Sequence, residues 1–164
     1  MSSQDDILRV VFDCMIYLQA TANENSPAAA ALRLFDAGEI ALYVSPAILS
    51  EIADVLNRPK VRQKNSRITD VNVEALLKRL ADKAVVLKNV PEAFKYSRDP
   101  KDEPYINLAV AVGAQYLVSR DKDLLDLMTD YTQECKEFRQ RFRPLKVVDP
   151  VAFLKEFVQG NAQS

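Results

Sequence analysis

Arg9-Val-Val-Phe-Asp13 reads as a buried strand that ends in a carboxylate. Tyr116-Leu-Val118, with Asp121 three residues further on, repeats the arrangement late in the chain. Between the two, strand-like and helix-like segments alternate. Ser26-Pro27 and Ser45-Pro46 are helix starts, because Ser accepts from orphan N–H groups and Pro suits the first helical position. Ala28, Ala31, Leu32 and Phe35 form the stripe of the first of these helices, and Gly38 fits its end. A second strand is expected over Ala41 to Ser45. The helix after it carries Ile48, Ile52, Val55 and Leu56. A helix from about Thr69 to Lys83 leads to a third strand over Ala84 to Lys88.

The polar loop from Tyr96 to Pro104 opens into a helix bearing Ile106, Ala109 and Val110. Lys146-Val-Val148 is a fifth strand, and Asp149-Pro150 caps a last helix. Residues 130–144 show no clear period. The pattern predicts one α/β domain over 1–164, with a mainly parallel five-stranded sheet, a core over about 8–158 and a flexible tail at 159–164.

Composition narrows the chemistry. The 164 residues include no His, which removes Ser-His-Asp triads, Cys-His dyads and His-ligated zinc. The three Gly are too scattered for a phosphate-cradling loop, and a net charge of −1 gives no basic excess for nucleic acid. Cys14 and Cys135 form no CxxC and read as free thiols of a reducing compartment. The acidic start, Met1 to Asp6, is unlike a signal peptide. The longest apolar stretch, Leu108 to Ala114, is far short of a span, so a cytoplasmic protein without membrane contact is expected.

Carboxylates are what remains. Ligands of parallel α/β sheets bind beyond the carboxyl ends of the strands. Asp13 and Asp121 belong to that rim, as does Glu103, at the start of the helix that returns to the fourth strand. Glu51 lies in the second turn after the second strand, beside the apolar Ile48, Ile52 and Val55, where an unpaired charge is costly. A hard divalent cation, Mg²⁺ or Mn²⁺, relieves both burial and mutual repulsion in an oxygen-only site. Asp-x-Asp phosphotransfer is disfavoured by Met15. A receiver-type phosphoacceptor is disfavoured by Lys88-Asn89 at the end of the third strand.

The segments Val10 to Asp13, Val44 to Ile52, Arg98 to Ala109 and Tyr116 to Leu125 together resemble the PIN-domain nucleases, particularly the toxins of toxin–antitoxin pairs. Val147 to Leu154 resembles the closing strand and helix of that family. The resemblance implies a three-layer α/β/α sandwich, an acidic pocket holding Mg²⁺ or Mn²⁺, and endoribonuclease activity on RNA. It also implies a small antitoxin partner and a homodimer. Its four acids correspond to Asp13, Glu51, Glu103 and Asp121. Glu103 stands eighteen residues before Asp121, Asp102 next to it is a substitute, and Asp123 is an extra ligand.

Cys14-Met15 departs from the Thr/Ser and Asn/Ser that usually follow the first Asp. The alternative reading is therefore a catalytically impaired module that binds RNA or protein. Ser119, close to Asp121, fits either a contact to substrate or water or a plain strand-end hydroxyl. Arg139 and Arg141, interleaved with Phe138 and Phe142, fit either an RNA-binding patch or a solvated helix anchored by two rings. Arg58, Lys60, Arg62, Lys64 and Arg67 form a second cationic cluster with the same ambiguity.

Overall fold

The strands β1 (Leu8–Phe12), β2 (Ile40–Val44), β3 (Val85–Val86), β4 (Tyr116–Val118) and β5 (Lys146–Val148) form one parallel sheet, in the order β3-β2-β1-β4-β5. This is seen in a computed structural model that describes residues 7–162. The register pairs Leu8 with Ile40, Val10 with Tyr116, and Phe12 with Val118. Val10, Val11 and Phe12 are buried, as a central strand covered on both faces requires. At one edge β3 is only two residues long, and Val85 and Val86 are exposed; a short edge strand offers little template for further pairing.

Chain direction across the sheet reverses once. β1, β2 and β3 step one way; β4 then returns to lie beside β1, and β5 continues outward. Right-handed crossovers therefore place the helices after β1 and β2 on one face and those after β3 and β4 on the other. The reversal lies between β1 and β4, where the loops that follow the two strands diverge and leave a crevice.

The serine caps hold. Ser45 Oγ accepts from Ile48 N at 3.1 Å to start α3 (Pro46–Leu56), and Ser26 Oγ accepts from Ala29 N at 3.1 Å ahead of Pro27–Asp36. Gly38, with φ 76°, ends that earlier helix in a conformation open to glycine. A helix absent from the sequence reading precedes it. In α1 (Cys14–Ala22), the chain turns from strand to helix at Asp13 without a loop. Its residues are apolar nearly all round, so no amphipathic period marks it. α2 is the Pro27–Asp36 helix, and it packs on α1.

Pro59–Lys64 forms α4, which has no fully buried residue, though Val61 packs partly buried against the core, and which was likewise absent from the sequence reading. Then follow α5 (Asp70–Lys83), α6 (Glu103–Ala111) and the short α7 (Lys122–Leu125). α6 packs against β1, β2 and β4. Residues 133–141, whose sequence shows no clear period, form α8 (Gln133–Arg141), which buries Cys135 and Phe138. α9 (Pro150–Ala162) runs through most of the expected tail; residues 163–164 lie outside the described residues. Among the described residues no helix is long and apolar enough to cross a membrane.

Phe153 of α9 seals one end of the core. It is fully buried, with ring centroids 5.3 Å from Tyr116 and 6.4 Å from Phe12 and Phe157. Phe153→Ala is expected to lower unfolding free energy by about 3–5 kcal/mol, measured by urea denaturation.

Candidate metal centre

Asp13 stands where β1 becomes α1. Its backbone N–H donates to Val118 O at 3.1 Å, tying the ends of β1 and β4 together, and its Oδ1 accepts from Ile16 N at 3.2 Å. Its other oxygen accepts from the Ser119 hydroxyl. Ser119 is completely buried, and its Oγ also accepts from Asp121 N at 2.9 Å. One hydroxyl thus joins the first acid to the backbone of the last. Burial pushes the Asp13 carboxyl up to about 6 against the opposing pull of Ser119 and the α1 amides.

Asp121 caps α7, its Oδ1 accepting from Asp123 N at 2.8 Å. Opposite it lies the segment before α6. Asn107 Oδ1 accepts from Ala93 N and Phe94 N, and Phe94 packs on the Phe138 and Phe142 rings. The buried Tyr96 donates its hydroxyl to Asp123 O at 2.7 Å. These anchors deliver Arg98, Asp99 and Asp102 to the rim. Carboxylate oxygens of Asp99, Asp102, Asp121 and Asp123 all lie within 4.8 Å of one another.

Asp102 is the strained member. It is buried, its Oδ2 has no hydrogen-bond partner among the described residues, and its pKa is raised to about 8. Desolvation is the main cause, followed by the charges of Asp121, Asp99, Asp13 and Asp123. Asp123 differs, because Arg98 Nε holds it at 2.7 Å while the same guanidinium reaches Asp126 at 2.6 Å and Asp130 at 3.1 Å. An unpartnered buried oxygen among carboxylates, facing no cation of its own, fits a hard divalent ion.

A PIN-domain family model matches residues 9–123, a span that contains Asp13 and the four clustered acids. The chain belongs to the PIN-domain family. It is 31% identical over 152 residues to the uncharacterized protein MJ1680 of Methanocaldococcus jannaschii, with 92% of each chain covered. The crystal structure of PAE2754 from Pyrobaculum aerophilum shares the fold, with a TM-score of 0.50 at 17% identity over 93% of this chain and 90% of that one. PIN domains are generally metal-dependent nucleases, and the acidic cluster is compatible with that chemistry.

Within this PIN domain the expected acids Asp102, Asp121 and Asp123 belong to the cluster, and Asp13, Glu51 and Glu103 are not among its four members. Glu103 is outside the cluster: its Oε2 accepts from Tyr96 N at 3.0 Å, and the adjacent Asp102 takes the position beside Asp121. Glu51 is on the rim but apart from the four clustered acids. Its Oε1 accepts from the Tyr105 hydroxyl at 2.6 Å, and with Asp13 it acts on the Cys14 thiol between them, which burial above all pushes up to about 12. Cys14 is accordingly an inert packing residue. Asp99, Arg98 and Tyr105 were not singled out from sequence; only the Asp99-x-x-Asp102 spacing ahead of a helix offered a signal.

The substrate residues change roles as well. Ser119, fully buried, positions Asp13 instead of touching a ligand. Arg139 donates to Leu127 O and Asp130 O, both at 2.8 Å, and so braces the turn that carries Asp126 and Asp130. Arg141 pairs with Glu137, donates to Ala93 O and lies over the Phe142 ring. The segment is a helix anchored by the Phe138 and Phe142 rings. In the second cationic cluster, Arg58, Arg62 and Arg67 are paired with Asp54, Asp70 and Glu24.

Ser119→Ala removes the donor that holds the Asp13 charge. It is expected to cost about 1–3 kcal/mol of stability and to raise the Asp13 pKa further. The acid limb of Mn²⁺ binding should then move to higher pH, as read by titration calorimetry across a pH series.

Proposed function

We propose that this PIN domain is a metal-dependent endoribonuclease that hydrolyses phosphodiesters of single-stranded RNA. The observation that supports it most directly is the unpartnered Asp102 oxygen among the carboxylates at the β1/β4 crevice. Asp13, Asp102 and Asp121 would hold Mg²⁺ or Mn²⁺, with Asp99 and Asp123 beside them. The ion supplies Lewis acidity toward the phosphodiester and charge compensation for it. The protein's part is to keep the acids gathered through Ser119, Tyr96 and Asn107, and to fix Glu51 through Tyr105. Without a cation the pocket repels phosphate, so substrate binding depends on the ion.

The impaired-module reading arose from the missing polar residues at positions 14 and 15. Ser119 and the Ile16 amide supply the donors to Asp13 that those positions lack, which favours an active site. A toxin role, a small antitoxin partner and a homodimer in the cytoplasm complete the proposal on the strength of the family resemblance.

Cleavage of a labelled single-stranded RNA tests it. Mn²⁺-dependent scission is expected, stopped by EDTA and reduced at least ~100-fold in Asp13→Asn, a loss of about 3 kcal/mol or more in transition-state stabilisation. RNA that stays intact with Mn²⁺, while the protein still binds it, supports the module reading.

A further inference from the structure

Beside the acids lies a cavity of about 590 Å³ whose walls include Met15, Leu18, Gln19, Asn65, Arg120 and Asp121. Asp121 belongs to both, so the cavity continues from the metal centre. Three of its features have no structural employment. Met15 is 50% exposed on a helix whose neighbours Cys14, Ile16 and Tyr17 are buried, an apolar side chain held open to solvent. The Gln19 side-chain oxygen is buried yet accepts no hydrogen bond among the described residues. Arg120 is exposed and makes no ion pair or hydrogen bond among the described residues. Arg98, on the same rim, is by contrast saturated by three carboxylates. Arg120 also lines a smaller cavity of about 280 Å³ that shares Gln19.

Each feature matches one part of a nucleotide. An uncommitted guanidinium is a partner for a phosphate, forming two parallel charge-assisted bonds. A polarisable Met with Leu beside it offers an apolar platform to a base face. An unfilled buried acceptor calls for a donor on the ligand, such as a base amine or a ribose hydroxyl.

We propose that this cavity is a nucleotide subsite, which seats the RNA nucleotide adjoining the scissile phosphate, with Arg120 on the neighbouring phosphate and Met15 and Leu18 under the base. It deepens, and rests on, the ribonuclease reading of the adjoining acids. The subsite gives a protein of net charge −1 a local cation for a polyanion at the one place where it is needed.

Arg120→Gln and Met15→Glu, both at exposed positions, test it by two readouts. One is fluorescence anisotropy of a labelled 12-mer single-stranded RNA, with Ca²⁺ in place of Mn²⁺. The other is Mn²⁺-dependent cleavage of the same oligomer. Each substitution is expected to weaken binding and raise KM about tenfold, with kcat within about threefold. Arg120→Gln should also reduce the slope of log Kd against log salt by about 0.7. Wild-type cleavage with both variants unchanged in Kd and KM overturns the subsite and leaves the nuclease standing. Wild-type binding that both variants lose, without cleavage by any form, supports the subsite and overturns the nuclease. Neither binding nor cleavage by the wild-type chain overturns both.

Discussion

Asp102→Asn should melt at a higher temperature than the wild-type protein in EDTA at pH 7, and should cut RNA at least ~100-fold more slowly with Mn²⁺. The two effects have one origin. In the folded chain Asp102 is buried among Asp121, Asp99, Asp13 and Asp123, and its pKa lies near 8. Unfolded, it returns to the ordinary carboxylate value of 3.8. At pH 7 folding must therefore protonate it or bury its charge, and an amide of the same shape avoids that cost. Because the pocket is partly open to solvent, the gain is held to about 1–3 kcal/mol. For a chain of this size that is about 3–10 °C in Tm, and it should shrink as pH falls and vanish well below the unfolded value of 3.8, where the acid is neutral in both states. Glu103→Gln, one residue along, is the control: it should leave the Mn²⁺ affinity within about threefold of wild type, because Glu103 serves the Tyr96 amide. Equal losses of Mn²⁺ binding in both variants would overturn the assignment of the third acid.

The pH dependence of the metal-free protein is the second large effect. Asp13 and Asp102 both have folded pKa values raised above 3.8, to about 6 and about 8. The folded state then binds more protons than the unfolded one between those limits, so stability falls as pH rises. Asp13 alone accounts for about 3 kcal/mol once pH passes 6, and Asp102 extends the decline toward pH 8. Ordinary carboxylates are already ionised above pH 5, so a urea-denaturation series from pH 5 to pH 8 isolates the effect. Saturating Mn²⁺ should reverse it, since the ion binds the deprotonated acids of the folded state. The rise in Tm on adding Mn²⁺ should accordingly be several degrees larger at pH 8 than at pH 5.5. A metal-free protein whose stability is flat or rises over this window would show that the acids are not packed as described.

The Arg98 clamp sets the character of the cluster. It holds Asp123, Asp126 and Asp130, and Asp126 above all, with Asp123, raises its own pKa further. With Asp123 already compensated, the unbalanced charge of the cluster falls on Asp99, Asp102 and Asp121, with Asp13 next to them. The built-in cation and the site for an external one divide the acids between them.

The five strands in their order along the chain, the two strands that end in acids and the serine caps at positions 26 and 45 were determined by the sequence itself. Each is a local property: alternation of apolar runs, a hydroxyl before Pro, a carboxylate where a strand stops. The exclusions drawn from zero His and three scattered Gly are equally independent of folding. Only the tertiary structure shows that Asp102, and not Glu103, is gathered with Asp121. Neighbouring residues at a helix start point about 100° apart, so a one-residue choice reverses which carboxylate meets Asp121, and a spacing along the chain does not resolve it. Helix α1 escaped because its apolar residues leave no period to detect. Ser119 and Arg139 changed roles because a hydroxyl or a guanidinium takes whichever partner the fold brings within 3 Å or so. Those partners, Asp13 and the carbonyls of Leu127 and Asp130, are supplied by packing across the sheet and between turns.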